Sequence, residues 1–218
     1  TLCLAMTRYS WVVRKTHPEA GLEYAKRVLG LYEKYSKRNV FNIVYNTLMV
    51  CECENFCGNP RRAFSLAQQA EKNALALGDS TVISDVYQDM AYFAVSLGDK
   101  RSTHFALLSC RYSDTRFVSK RLMLAKAYEK TGNYHECINL LDTLRLENNG
   151  QRYEAFAMRH RAAVKLNDPA ALSYADSAYH YIEAMFDDEL CDKTIYFENL
   201  MQEKTERLQA ESWTVLYK

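Results

Sequence analysis

Apolar residues recur along this chain every three or four positions, and no long run alternates strictly between apolar and polar. The clearest case is Ser119–Leu144. Leu122, Leu124, Ala125 and Tyr128 make one stripe at helical spacing. Gly132-Asn133 breaks the pattern, because glycine accepts the left-handed backbone that ends a helix. A second stripe follows through Tyr134, Cys137, Ile138, Leu141 and Leu144. The stretch therefore predicts two helices joined by a tight turn.

The same sequence of stripe and stop predicts a series of helices. They cover roughly Leu2–Lys15, Glu19–Lys37, Val40–Phe56, Pro60–Leu77, Val82–Leu97, Arg101–Tyr112, Arg152–Leu166 and Ala170–Met185, besides the pair just described. Leu22, Ala25, Val28, Leu29 and Tyr32 form the buried stripe of the second helix. Ala63, Ala67, Ala70 and Leu77 form that of the fourth. Pro18 and Pro60 stand where a helix starts, which suits a residue with no backbone N–H to satisfy. Turns at Thr16, Gly58, Gly98, Gly132 and Asn167 follow at intervals of 42, 40, 34 and 35 residues. A last helix is expected over Asp188–Lys218. Its early apolar residues, Ile195, Phe197, Leu200 and Met201, would cap the array, and Gln202–Ser212 would remain solvated.

Composition agrees with an all-α chain. Among 218 residues, 48% are hydrophobic, enough for a sizeable core. Only 7 are Gly and 3 are Pro, which favours long helices over many turns. The net charge of +1 gives no electrostatic case for binding nucleic acid or an anionic membrane surface. The least charged run, Val40–Cys51, is too short to cross a bilayer, which takes ~20 residues. The chain begins on Thr1 and is expected to be a fragment, so the lack of a signal peptide says nothing.

Candidate chemistry is sparse. The seven cysteines show no disulfide-framework spacing and read as small buried apolar residues, which favours a reducing compartment. Cys53 and Cys57 share a helix face and Cys51 points elsewhere. No His or second Cys pair near in sequence completes a zinc site, so no metal is expected. Met158-Arg159-His160-Arg161 with Lys165 reads as a solvated basic face. Asp187-Asp188-Glu189 reads as an N-terminal cap for the last helix. No catalytic residue and no cofactor are expected.

Ser119–Leu144 resembles a tetratricopeptide repeat. It has an apolar residue at Leu124, small residues at Ala125 and Gly132, and aromatics at Tyr128 and Tyr134, each where that repeat carries them. It departs at Arg121, where the family often has Trp, and at Cys137, where it prefers Ala. The last two turn intervals match the repeat's ~34-residue period, and the first two are longer hairpins of the same kind. The resemblance implies a right-handed α-solenoid of about five helical hairpins over residues 1–186. Residues 187–218 would then be a capping and linker helix. It also implies a non-enzymatic domain with a peptide-binding groove lined by the first helix of each hairpin. Carried onto this sequence, the lining is Tyr45, Leu48, Glu52 and Asn55, then Asp85, Gln88 and Tyr92, then Ser119, Leu122 and Lys126, with Glu154 and Arg161 last.

The run ALSYADSAYHYIEAMFDDE, followed by a charged segment, is similar to the end of tetratricopeptide sensor regions in signalling regulators of the Bacteroides group. That similarity implies a sensor or scaffold part of a signal-transduction or transcriptional regulator. The array would lie on the periplasmic side, with a membrane link only beyond Lys218. The other readings are a cytoplasmic adaptor or co-chaperone-like module and, more remotely, an enzyme with an α-helical cavity.

Overall fold

The computed structural model describes residues 2–114 and 117–187. These residues form antiparallel helices: α1 (Leu2–Val13), α2 (Pro18–Tyr35), α3 (Val40–Phe56), α4 (Pro60–Leu77), α5 (Ser80–Ser96), α6 (Ser102–Tyr112), α7 (Val118–Thr131), α8 (Tyr134–Asp142), α9 (Asn149–Leu166) and α10 (171–187). The expected terminal helix over Asp188–Lys218, with its capping residues and Cys191, lies outside the described residues.

Each anticipated turn is present. Gly58, Gly98 and Gly132 adopt positive φ, between 67° and 85°, and Asn167 does the same at 54°. Glycine tolerates this conformation freely and asparagine better than most residues. Two helix starts fall earlier than the apolar pattern suggests, because side-chain caps set them. Asp79 accepts hydrogen bonds from the backbone N–H of Thr81 and Val82 at 2.8 and 3.1 Å, so α5 begins at Ser80. Asn148 accepts from the Gln151 N–H at 2.9 Å, so α9 begins at Asn149 and takes in residues that look like loop.

Consecutive helices pack as hairpins, and the hairpins stack in order. The odd-numbered helices α1, α3, α5, α7 and α9 also touch one another in series. Among α1 to α9, the even-numbered helices α2, α4, α6 and α8 make no such mutual contacts. An array whose one layer is in continuous contact while the other fans out curves towards the contacting layer. The odd helices therefore line the concave side.

The main core runs from α3 to α7, around Val44, Phe64, Val86, Met90, Phe93 and Phe105. A second cluster, with Leu122, Cys137, Leu141 and Met158, joins α7, α8 and α9. Tyr128 packs against both. Small residues allow the close crossings. A Cβ on Gly21 would meet the Arg14 Cα at 3.2 Å and the Ser10 carbonyl oxygen at 3.3 Å, so any larger residue there would push the α1 and α2 backbones apart by a few tenths of an ångström. The Ser10 hydroxyl, fully buried, donates to the Gly21 carbonyl at 2.8 Å.

Three expectations need correction. Leu77 is exposed at the end of α4, and Ala74 takes the buried place one turn earlier. Leu122 is in the α7–α9 core and 4% exposed, so it offers almost no surface to a groove, because α9 covers the face that α7 would otherwise present. The Met158–Arg161 stretch is solvated only in part, because Arg161 and Lys165 are exposed but Met158 and Arg159 are not. Met158 is buried. Arg159 keeps 13% of its side chain exposed, pairs with Asp142 at 2.8 Å and lies over the Phe156 ring at 4.9 Å. The His160 Nδ1 sits 2.9 Å from the Ala171 carbonyl. Arg161 holds Glu129 with two hydrogen bonds of 2.7 and 2.9 Å. Arg159, His160 and Arg161 thus join α9 to its neighbours, while Lys165 stays exposed.

Candidate functional site

The concave layer contains two contiguous cavities. The first, about 280 Å³, lies among α1, α3 and α5 and is lined by Trp11, Tyr45, Leu48 and Met49 with Glu52, Asp85, Gln88 and Asp89. The second, about 230 Å³, continues towards α7 past Lys15, Phe56, Tyr92 and Met123. Glu52, Gln88 and Asp89 line both, so the two form one trough. Helical periodicity explains the grouping. Residues three and four apart share a helix face, so Tyr45, Leu48, Met49 and Glu52 on α3 and Asp85, Gln88, Asp89 and Tyr92 on α5 point the same way.

Ion pairs run across the trough. Arg14, in the turn that follows α1, donates from Nε to Glu52 on α3 at 2.6 Å. Its guanidinium also lies 4.5 Å from the Trp11 ring centre and donates to the Trp11 carbonyl oxygen. Lys120 on α7 is buried and reaches α5, where Nζ donates to Asp85 at 2.5 Å and to the Ser84 hydroxyl at 2.7 Å. The Tyr45 hydroxyl donates to the other Asp85 oxygen at 2.8 Å. Burial, followed by that hydrogen bond, pushes the Tyr45 phenol well above its ordinary range. Behind this row, Ser84 and Ser109 exchange hydrogen bonds with each other's carbonyl oxygens at 2.7 and 2.8 Å, which locks α5 to α6.

Asp89 stands apart. It keeps an open face towards both cavities, yet among the described residues it has no hydrogen bond and no ion pair. Its carboxyl is raised well above the usual range, first by desolvation and then by the nearby charges of Glu52 and Asp85. Lys120 and Arg14 act in the opposite direction without cancelling this.

The structure gathers Tyr45, Leu48, Glu52, Asp85, Gln88 and Tyr92 in the trough. Lys126 adjoins them, with its ammonium 5.4 Å from the Tyr92 ring centre. Ser119 is elsewhere, in a separate cavity with Phe117, Glu147 and Gln151 at the start of α7. Asn55 is half-buried and Glu154 exposed, and neither lines the trough. Arg161 is committed to Glu129. Sequence reasoning missed Trp11, Lys15, Met49, Phe56, Asp89 and Met123. The neighbouring positions of the same helix faces were the available signal.

Among the described residues, no group of three or more His, Cys, Asp or Glu side chains is placed to hold a metal ion. Cys51 belongs to the main core, whereas Cys53 packs with Ala25 and Val50 between α2 and α3. All six described cysteines are free. Burial raises the thiols of Cys51 and Cys53, and pushes Cys137 up to about 12.

Stacked helical hairpins with a trough along the odd-numbered layer define a tetratricopeptide-like α-solenoid. Solved structures of this class superpose well. A kinesin light chain-like protein of Podosopora anserina, built of nearly identical TPR-like repeats, matches with a TM-score of 0.66 and 13% identity. The match covers 83% of this chain and 95% of that one. A point variant of the same protein gives a TM-score of 0.68 at 13% identity, over 84% and 95% of the two chains. At this identity the likeness establishes the fold. No family model and no curated protein matches the chain.

Proposed function

We propose that this chain is a non-enzymatic protein-binding domain that holds a polypeptide segment along the α1–α3–α5–α7 trough. The observation that carries this reading is the trough itself. It is continuous across four stacked helices, floored by Leu48 and Met49, and edged by Trp11, Tyr45 and Tyr92. Concave surfaces of this kind are what helical-repeat proteins use for extended partners. Apolar pockets at intervals, with polar groups between them, suit alternate side chains of a bound segment.

Peptides selected from a random displayed library on the intact chain test the reading. Gln88→Trp, which fills the middle of the trough, should abolish their binding, while Arg27→Trp on the opposite layer should leave it unchanged. Selected peptides indifferent to Gln88→Trp would overturn the assignment.

Within a larger protein, we place the domain as the sensor or scaffold of a periplasm-facing signalling or transcriptional regulator. The support is the similarity of ALSYADSAYHYIEAMFDDE and its charged continuation to such sensor regions. A membrane span and an output domain encoded beyond Lys218 are the expected finding. The free cysteines favour the second reading, a cytoplasmic adaptor, and a gene that continues into neither feature would select it.

A further inference from the structure

Three carboxylates line the first cavity, two of them, Glu52 and Asp89, where it joins the second, and their situations differ. Glu52 is neutralised by Arg14 at 2.6 Å. Asp85 is neutralised by Lys120 at 2.5 Å and also accepts from Tyr45. Asp89 is left over, unpaired among the described residues, with its open face to the trough. The first cavity has these three acids and no basic residue in its lining. The cations that approach it are already engaged. Arg14 holds Glu52 and covers Trp11, and Lys120 is anchored between Asp85 and Ser84. Basic side chains enter only in the second cavity, where Lys15 lines the wall together with Glu52 and Asp89, and beside it, where Lys126 lies over Tyr92.

A half-buried carboxylate without a donor is costly unless something outside the chain supplies one. The walls around it say what shape that donor has. Trp11, Met49 and the Tyr45 ring line the same cavity as Asp89 and offer an apolar wall beside it. A long aliphatic stem ending in a positive charge satisfies both demands, the stem on the apolar wall and the charge on the carboxylate.

We propose that the cavity between α1, α3 and α5 is a specificity pocket for a lysine or arginine side chain of the bound segment, with Asp89 as its anchor. The inference rests on the trough being the binding surface and adds the chemical class of ligand that its central pocket selects. It makes the pocket the discriminating element, since an acidic side chain is rejected by the same unpaired Asp89 carboxylate that attracts a cation.

The experiment is selection from the same displayed library on the wild-type chain and on Asp89→Asn, each verified as folded by circular dichroism. The wild-type pool should fix a Lys or Arg at one position, and the Asp89→Asn pool should lose it. For a synthesised wild-type winner, replacing that residue by Gln should weaken binding roughly tenfold or more to the wild type. The same replacement should cost almost nothing against Asp89→Asn, so the two changes share one interaction. A pool with no fixed basic position whose members are still blocked by Gln88→Trp overturns the cation pocket and leaves the trough reading standing. No enrichment on the wild type overturns both. Spermidine serves as a probe for a free amine. Asp89-dependent binding of spermidine without peptide enrichment overturns the commitment to a polypeptide.

Discussion

Glu54 shows how a charge is kept inside this array. It is 1% exposed, and Lys26 from α2 and Arg62 from α4 reach it at 2.8 and 3.2 Å. Asn59 in the intervening turn donates to it at 3.1 Å. Burial works to raise its carboxyl, but the hydrogen bonds from Lys26 and Asn59 outweigh that and hold it below the usual range. Because the shift is downward, its contribution to stability is present above the ordinary carboxylate range and is lost as acidification protonates the folded form. Lys26 and Arg62 stay largely exposed and can return to water, so Glu54→Ala should cost about 2 kcal/mol in urea denaturation rather than the larger penalty of stranding a buried cation. The loss should shrink as the pH is lowered. Tyr128 illustrates the apolar counterpart. It joins the two core clusters while half-buried, and Tyr128→Ala should lower stability by ~2–3 kcal/mol, read as a lower urea midpoint. An unchanged midpoint would mean that the clusters hold together without it.

At the scale of the helix, caps and turns decide where elements begin and end. Asp79→Ala removes both hydrogen bonds to the first turn of α5 and should destabilise by ~1 kcal/mol, with Asp79→Asn recovering most of it. The turns were legible in the sequence, because Gly58, Gly98, Gly132 and Asn167 are residue types that accept positive φ at the point where an apolar stripe stops. The two early helix starts were not, because Asp79 and Asn148 act through side-chain oxygens and carry no apolar signal. Half of the trough was legible for a similar reason. Periodicity places Tyr45, Glu52, Asp85 and Gln88 on the inner face, and the structure gathers them there. Leu122 obeys the same periodicity but is covered by α9, and only the packing of the next hairpin reveals that. The solitary state of Asp89 is a fact about the whole inner layer from α1 to α7. It depends on Arg14 reaching Glu52 and on Lys120 reaching Asp85, and no local pattern encodes either.

For the molecule as a whole, the trough is a place where stability is given up. The raised carboxyl of Asp89 means that the folded state resists its ionisation. That penalty is fully present above the folded-state value and disappears below the unfolded one, near the ordinary ~3.9 of an aspartate. Asp89→Asn, which cannot ionise, should therefore melt higher than the wild type at neutral pH. The difference should close as the pH falls through the carboxylate range, and a variant that melts lower at neutral pH would contradict the account. The contact pattern of the helices has a mechanical consequence. The odd-numbered layer is a continuous spine, whereas the even helices α2 to α8 lean on that spine and not on each other. Such a body is compliant in one direction: it can straighten or tighten by fanning its outer layer, while the spine resists shear. A segment clamped across α1, α3, α5 and α7 would act as a strut on the inner curve and fix the distance between the ends of the array. Spin labels on α2 and α9 should then report a broad distribution of separations in the free protein and a narrow one when the trough is filled. Occupancy would thus be converted into length, a quantity that anything tethered at either end can read.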